Sequence, residues 1–247
     1  SSTSRGLGDV YKRQVVRYAK HLGVPREKLI RAVAVSDLIT IHQKTGIGRL
    51  SAFCGAVSAG IGAAAGTLVG AFTGYFGGWL DEALMRVNDA VTAFPSILLA
   101  LVFISLLGFG KYNVILALGV AFVPSYARVI RSEFARHREM NYVKSARLMG
   151  AGHLRIMFLH ILPNTRQVLL PTLVIGFNNA VLAEASMSYL GIGVKPPDVS
   201  LGYMLSESQS YMARAPWYML TVGGVIVLLI LGVSLLGEGL QQKEWGR

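Results

Sequence analysis

The sequence predicts an all-α polytopic membrane protein with about five transmembrane helices. Three observations predict it: apolar windows of membrane length, a shortage of charge, and basic residues gathered between the windows. The 247 residues are 53% hydrophobic and only 15% charged, whereas a soluble domain is about 25% charged. The net charge of +11 needs a location, either on a nucleic-acid surface or on the cytoplasmic flanks of spans. Most of the chain is too apolar to offer a basic soluble surface, so the second location is preferred and nucleic acid is not expected as a partner. The lipid membrane is.

A spanning helix needs about 20 mostly apolar residues. Five windows qualify: Leu50–Phe76, Ala90–Leu107, Tyr112–Ile130, Val168–Leu190 and Pro216–Leu236. Between the third and fourth lie Arg131, Arg136, Arg138, Lys144, Arg147, Arg155 and Arg166, opposed only by Glu133 and Glu139. The positive-inside rule makes that connection cytoplasmic. Alternation then makes 77–89 and the C-terminal end cytoplasmic, and 108–111 and 191–215 external. The location expected is the plasma (inner) membrane, crossed several times. Pro95, Pro124 and Pro171 are expected to kink spans.

The N-terminal part breaks this pattern. With five spans it would be external, yet residues 5–49 hold ten Lys and Arg residues, from Arg5 to Arg49. Residues 1–14 show no periodicity and are set apart as a scar or fragment edge. The stretch 24–43 has amphipathic helical spacing at Leu29, Ile30, Val33, Leu38 and Ile41, but it is too short and too charged to span. Residues 15–65 are thus read as an amphipathic segment of foreign origin, and 66–247 as the transmembrane domain.

The basic connection has an order of its own. Tyr142, Val143, Ala146, Leu148 and Met149 predict a short helix with an apolar side. Gly150, Ala151 and Gly152 break it, and "HLRIMFLHIL" predicts a second short helix. Pro163 cannot continue that helix, and Asn164 and Thr165 are placed to cap the next one. A stiff helix–turn–helix unit suits the transmission of force from a soluble partner. A solvated connection between helices reads equally well from pattern alone.

The stretch "KSARLMGAGHLRIMFLHILPN" (144–164) resembles the EAA loop of ABC importer permeases. Lys144, Ser145 and Ala146 fill the Glu-Ala-Ala places. Gly150 stands at the family distance, His160 takes an Ile place, and Leu162–Pro163 close the motif. The Lys144 and His160 replacements depart from the general pattern, while "HILPN" resembles the dipeptide, oligopeptide and nickel branch. "GYFGGWLDEALMRVNDAVTAFPSILLAL" (74–101) and "LAEASMSYLGIGVKPPDVSLGYML" (182–205) resemble the same branch, so the likeness covers about 66–247.

The resemblance implies a type I ABC importer permease-like fold with the family's first helix missing. It implies a coupling helix around Ser145–Leu154, including Ala151, that docks in a separate ATP-binding subunit. Further partners would be a second homologous permease and an external solute-binding protein, and the cargo a peptide or nickel. No cofactor is expected, ATP being bound by the partner. The chain holds no G-x-x-x-x-G-K-[ST] phosphate cradle, and "GFGKYN" (108–113) lacks its spacing. The chain is therefore read as a transport subunit and not as an enzyme.

Within the fourth window, Glu184 with Asn178 and Asn179 is the intramembrane polar group. A carboxylate in a span costs about 2.5–3.5 kcal/mol on insertion scales. Such a group marks a gate or a hydrogen bond that fixes helix packing, and the packing role is preferred. Asp81, Glu82, Arg86 and Asp89 read as local ion pairs and caps. His137, His153 and His160 have no metal-ligand spacing, so no metal site is assigned. In 191–215, which resembles the segment facing the solute-binding protein, Leu201 stands where an aromatic residue is usual.

Gly62, Gly66, Gly70 and Gly74 recur every four residues and predict one smooth face for close helix packing. Residues 22–66 resemble another family, the L-cysteine desulfidase and serine-dehydratase-like iron–sulfur enzymes. In that resemblance Cys54 would match a cluster cysteine. An enzyme fragment is thus the rival function, although a cluster needs several cysteine ligands and Cys54 is the chain's one cysteine. Two sources joined near Ala65–Val69 account for the misplaced charge and the missing span. A genomic read across that junction should show two separate genes; one continuous native gene would refute the join.

Overall fold

The computed structural model describes residues 47–194, 198 and 200–245. The expectations for residues 1–14 and for the amphipathic stretch 24–43 lie outside the described residues. Every regular element among the described residues is helical.

α1 (Ile47–Phe76) and α4 (Lys111–Arg138) form the central pair. α2 (Gly78–Thr92) and α3 (Ser96–Leu107) connect them. After α5 (Asn141–Leu148) comes a run of short helical turns from His153 that leads into α6 (Arg166–Tyr189). α7 (Leu201–Ser208) and α8 (Pro216–Trp245) complete the chain. Four stretches among the described residues are long and apolar enough to cross a membrane: 49–76, 111–138, 153–189 and 216–242. A 28-residue helix is about 42 Å long, which exceeds the roughly 30 Å hydrocarbon core.

The window Ala90–Leu107 is a broken element. α2 and α3 meet at 87° across Ala93–Pro95, and five spans are reached when this bent pair counts as one. Pro95 occupies the N-cap of α3, with an extended backbone at φ −54° and ψ 131°. It lacks the N–H that an unbroken helix would need there. By itself α3, with 12 residues, is only about 18 Å long. Pro124 and Pro171 lie inside α4 and α6, which run on past them.

The connection expected at 77–89 is helical, and its acids act over long range. Asp81 receives two bonds from Arg131, Nε at 2.5 Å and Nη2 at 2.6 Å. Asp89 receives Arg128 Nη2 at 2.9 Å. Only Glu82 and Arg86 form a local pair, at 4.0 Å. α2 is thus fastened to α4 by a forked arginine pair that is partly buried, and by a second pair exposed to water. Exposed pairs are worth about 0.2–1 kcal/mol, so the first fixes α2 more firmly.

The packing of α1 on α4 follows the four glycines. A methyl on Gly66 would lie 2.5 Å from Tyr126 Cβ and 2.7 Å from the Val123 carbonyl oxygen. On Gly70 it would lie 2.5 Å from the Ala127 carbonyl oxygen, and on Gly62 3.0 Å from that of Gly119. Gly74 lies against the Arg131 carbonyl in the same way. The glycines of α1 step along every fourth backbone carbonyl of α4, so the helices touch backbone to backbone. α1 crosses Ala65–Val69 without a break.

This contact yields a paired test. Gly70→Ala should destabilise the purified protein by about 1–3 kcal/mol, the usual cost of overpacking. Gly60→Ala, on the same helix with nothing within 4 Å of the added methyl, should be neutral or slightly stabilising. Thermal unfolding in detergent measures both.

Candidate functional site

α4 carries its basic end beyond the apolar part of the bundle, with Arg136, His137 and Arg138 in its last turn. There the chain folds back as α5. Val143 and Ala146 of α5 are buried with Ala71 and Tyr75 of α1, Ile130 and Phe134 of α4, and Ile156, Met157 and Ile161. The α1–α4 pair is therefore also the floor on which the basic connection sits.

α5 ends in a Schellman motif. Ala151 N–H donates to the Ala146 carbonyl and Gly150 N–H to that of Arg147, both at 3.0 Å. Gly150 has φ +80°, in the left-handed region where a side chain is strained. This is the physical reason for glycine at that place of the motif. The turn exposes Leu148 (90%) and Met149 (80%), and Leu154 and Leu159 are exposed beside them.

The five apolar residues expected on one side of α5 divide between two: Val143 and Ala146 face inward with Tyr142 half-buried, while Leu148 and Met149 point outward. Leu148 lies two positions past Ala146 and hence near the opposite face, since only i, i+3 and i, i+4 residues share one. Ala146, in turn, belongs to the protein's own core. Of the other residues assigned to docking, Lys144, Ser145, Gly150, Leu154, Pro163 and Asn164 are exposed. Ala151, His160 and Leu162 are half-buried.

A second correction concerns Pro163. The chain does not stop there. A π-turn (Ile156–Ile161) widens the helix, a 3-10 turn (Leu162–Thr165) tightens it, and Pro163 sits in the first turn of the latter. At that position its missing N–H leaves no bond unmade. Asn164 and Thr165 do not cap α6. Asn164 Nδ2 donates back to the His160 carbonyl at 2.6 Å, and Thr165 Oγ1 to the Leu162 carbonyl at 2.8 Å.

Two tyrosine–histidine bonds brace the connection at its ends, and the sequence reading found neither. Tyr75 OH meets His153 Nδ1 at 3.0 Å, with the Arg147 guanidinium 5.3 Å from the Tyr75 ring centre. Tyr142 OH meets His137 Nδ1 at 2.8 Å. Burial pushes the Tyr142 hydroxyl above the ordinary phenol range, against smaller opposing effects of Asn164 and Arg136. Residues 78 and 5 positions apart make these contacts, and only the nearer spacing could have been read from the sequence.

The intramembrane polar residues do not cluster as their proximity in sequence implied. Asn178 Nδ2 donates to Ser234 Oγ of α8 at 2.8 Å, an interhelical bond of the packing kind. Asn179 is exposed. Glu184 is fully buried and accepts from Ser188 Oγ at 2.7 Å. Among the described residues no group of three His, Cys, Asp or Glu could hold a metal ion.

Comparison with known proteins bears on both parts of the chain. Residues 66–245 match the family model of the binding-protein-dependent transport system inner membrane component. Residues 12–83 match that of the serine dehydratase alpha chain. The dipeptide transport system permease protein DppC of Haemophilus influenzae is 40% identical over 193 residues, 78% of this chain and 65% of the relative. The glutathione transport system permease protein GsiD of Escherichia coli is 37% identical over 193 residues, 78% of this chain and 64% of the relative. The chain thus spans just under two thirds of the length of these relatives. A solved structure of the MetNI methionine ABC transporter in an inward-facing conformation aligns with a TM-score of 0.65. It covers 78% of this chain and 92% of its own at 20% identity, a likeness of fold.

The Tyr75–His153 brace is testable by a double-mutant cycle. Tyr75→Phe and His153→Ala should each destabilise the protein, with a coupling energy of about 0.5–1.5 kcal/mol, the worth of one hydrogen bond. Chemical unfolding of the two single variants and the double variant measures it.

Proposed function

Because the chain belongs to the family of binding-protein-dependent transport system inner membrane components, we propose that it is the permease subunit of an ATP-driven peptide importer. In this reading the α5–Gly150 turn docks on a separate ATP-binding subunit. ATP is bound and hydrolysed there, and the chain itself carries no catalytic group. A second homologous permease and an external solute-binding protein complete the assembly.

One observation carries the docking role. The Schellman turn holds Leu148, Met149 and Leu154 outward beyond the basic end of α4. Basic side chains around them, Lys144, Arg147 and Arg155, are those of a water-facing connection on the cytoplasmic side. An apolar tip held out among charges is the surface that a soluble partner covers. The inner face of the same element rests on α1 and α4, so a push on the tip reaches two spans directly. Among the cargoes left open by the sequence, a peptide is favoured over nickel by the dipeptide and glutathione permeases among the relatives.

The join near Ala65–Val69 is part of the same proposal. The two family matches overlap at residues 66–83, within α1 and the start of α2. Glycines on both sides of the join, Gly62 and Gly70, pack on α4. The rival enzyme reading gains little, because Cys54 is buried within α1 and a cluster needs several such ligands.

Leu148→Asp and Met149→Asp, both at exposed positions, should leave the chain in the membrane but lower ATP-dependent peptide uptake by tenfold or more. That corresponds to about 1.4 kcal/mol of lost docking energy. Uptake into proteoliposomes with the cognate ATP-binding subunits and binding protein measures it. Unchanged uptake and unchanged stimulated ATPase would refute the docking role.

A further inference from the structure

Asn179 is a polar side chain that the fold turns outward in mid-span. From Ile175 to Leu190 the exposed residues are Ile175, Asn179, Leu182, Ser186 and Leu190. Steps of three and four residues place them on one narrow face of the helix. With its other sides α6 packs on α1, α4, α7 and α8. Asn179 stands about 20 Å along the helix from Arg166 and about 15 Å from Tyr189. That is close to the middle of a hydrocarbon core about 30 Å thick.

The polar groups around it are already engaged. Ser186 Oγ donates to the Leu182 carbonyl at 2.7 Å, and Asn178 spends its amide on Ser234 of α8. The Asn179 side chain makes no hydrogen bond with another described residue. A carboxamide has two protons to give and an oxygen to accept with, and acyl chains can meet neither. Polar groups at membrane depth face protein or a water-filled cavity. This face is also unlike the tight contact of the bundle. α1 presents a glycine to α4 at every fourth residue, whereas here bulky Ile175, Leu182 and Leu190 alternate with Asn179 and Ser186. Side chains of that size hold a neighbouring helix away and leave room between.

We propose that Asn179 binds a peptide group of the cargo in transit, on a face of α6 that is open to water in the assembled importer. This inference rests on the peptide-importer reading. A carboxamide carries C=O and N–H side by side, as a peptide group does, so the two can pair through two hydrogen bonds in one plane. Every peptide has that group whatever its side chains, so the contact serves cargoes of varied sequence. Ile175 and Leu182, one turn to either side, give apolar side chains of the cargo a surface. The five residues include no carboxylate, imidazole or thiol to hold a transition-metal cargo.

Cysteine accessibility tests this in proteoliposomes that hold the full-length chain with its ATP-binding subunits, second permease and binding protein. Cys54 is the chain's one cysteine and is buried, so labelling of this chain starts from a low background. Leu182→Cys places a thiol beside Asn179. It should react with a membrane-impermeant thiosulfonate about tenfold faster than Leu228→Cys on the exposed apolar side of α8, since a thiol reacts as its thiolate, in water. Dialanine, supplied through the binding protein during turnover, should slow labelling of Leu182→Cys. Adding Asn179→Leu should abolish that protection, and adding Asn179→Gln should keep it. Labelling of Leu182→Cys as slow as that of Leu228→Cys would show a face covered by lipid or protein and would overturn the proposal. Protection that is absent, or that survives Asn179→Leu, would overturn it as well. Dialanine uptake by the unsubstituted chain is measured in the same vesicles. Its absence would refute the importer reading, whereas a dry face beside intact uptake refutes this inference alone.

Discussion

The backbone-to-backbone contact of α1 with α4 is the constraint on which the rest of the structure depends. In lipid, apolar side chains gain little by meeting each other rather than acyl chains, so close approach of small residues must hold helices together. Gly62, Gly66, Gly70 and Gly74 provide that approach against four successive turns of α4. At one end of the seam, Ala71 and Tyr75 join Ile130 and Phe134 to make the floor for α5. Toward the other, Ser51 and Gly55 reach α7 and α6, the latter through Val181. Gly176 of α6 leaves room for the Tyr126 hydroxyl of α4, which lets α6 close over the pair. Widening the seam would disturb both ends at once.

The charges follow the same frame. Arg128 and Arg131 of α4 hold α2 through Asp89 and Asp81, and Arg138 Nη1 reaches the Tyr75 carbonyl at 3.4 Å. Three arginines on one helix thus gather the ends of α1 and α2 before the chain turns into α5. What remains basic beyond them, at Lys144, Arg147 and Arg155, surrounds the exposed Leu148–Met149 tip. The packed floor and the exposed tip are therefore two faces of one cluster, and its inner face is already spent on packing.

Much of this was legible in the sequence because membrane helices announce themselves by length and lack of charge. The four-residue glycine period stated the α1–α4 contact, although not its partner. The position of Gly150 in the motif was visible, while its reason, a left-handed cap, needed the backbone. Pro95 bends its window as expected, at 87° between α2 and α3, whereas Pro163 ends nothing because a π-turn and a 3-10 turn absorb it. Leu148 and Met149 do not share the side of Val143 and Ala146, because helical spacing turns them away. Tyr75–His153 and Ser51–Leu201 join residues too distant in sequence for any periodicity to connect.

The central claim is that the exposed tip of α5 meets an ATP-binding partner. It is tested most directly by a photoreactive amino acid at Leu148, with the cognate ATP-binding subunits co-expressed in native membranes. The account predicts a covalent adduct with an ATP-binding subunit from Leu148, and none from the same group at Leu182 on the outer face of α6. Adducts with lipid alone from Leu148, in membranes where the assembled transporter is present, would contradict it.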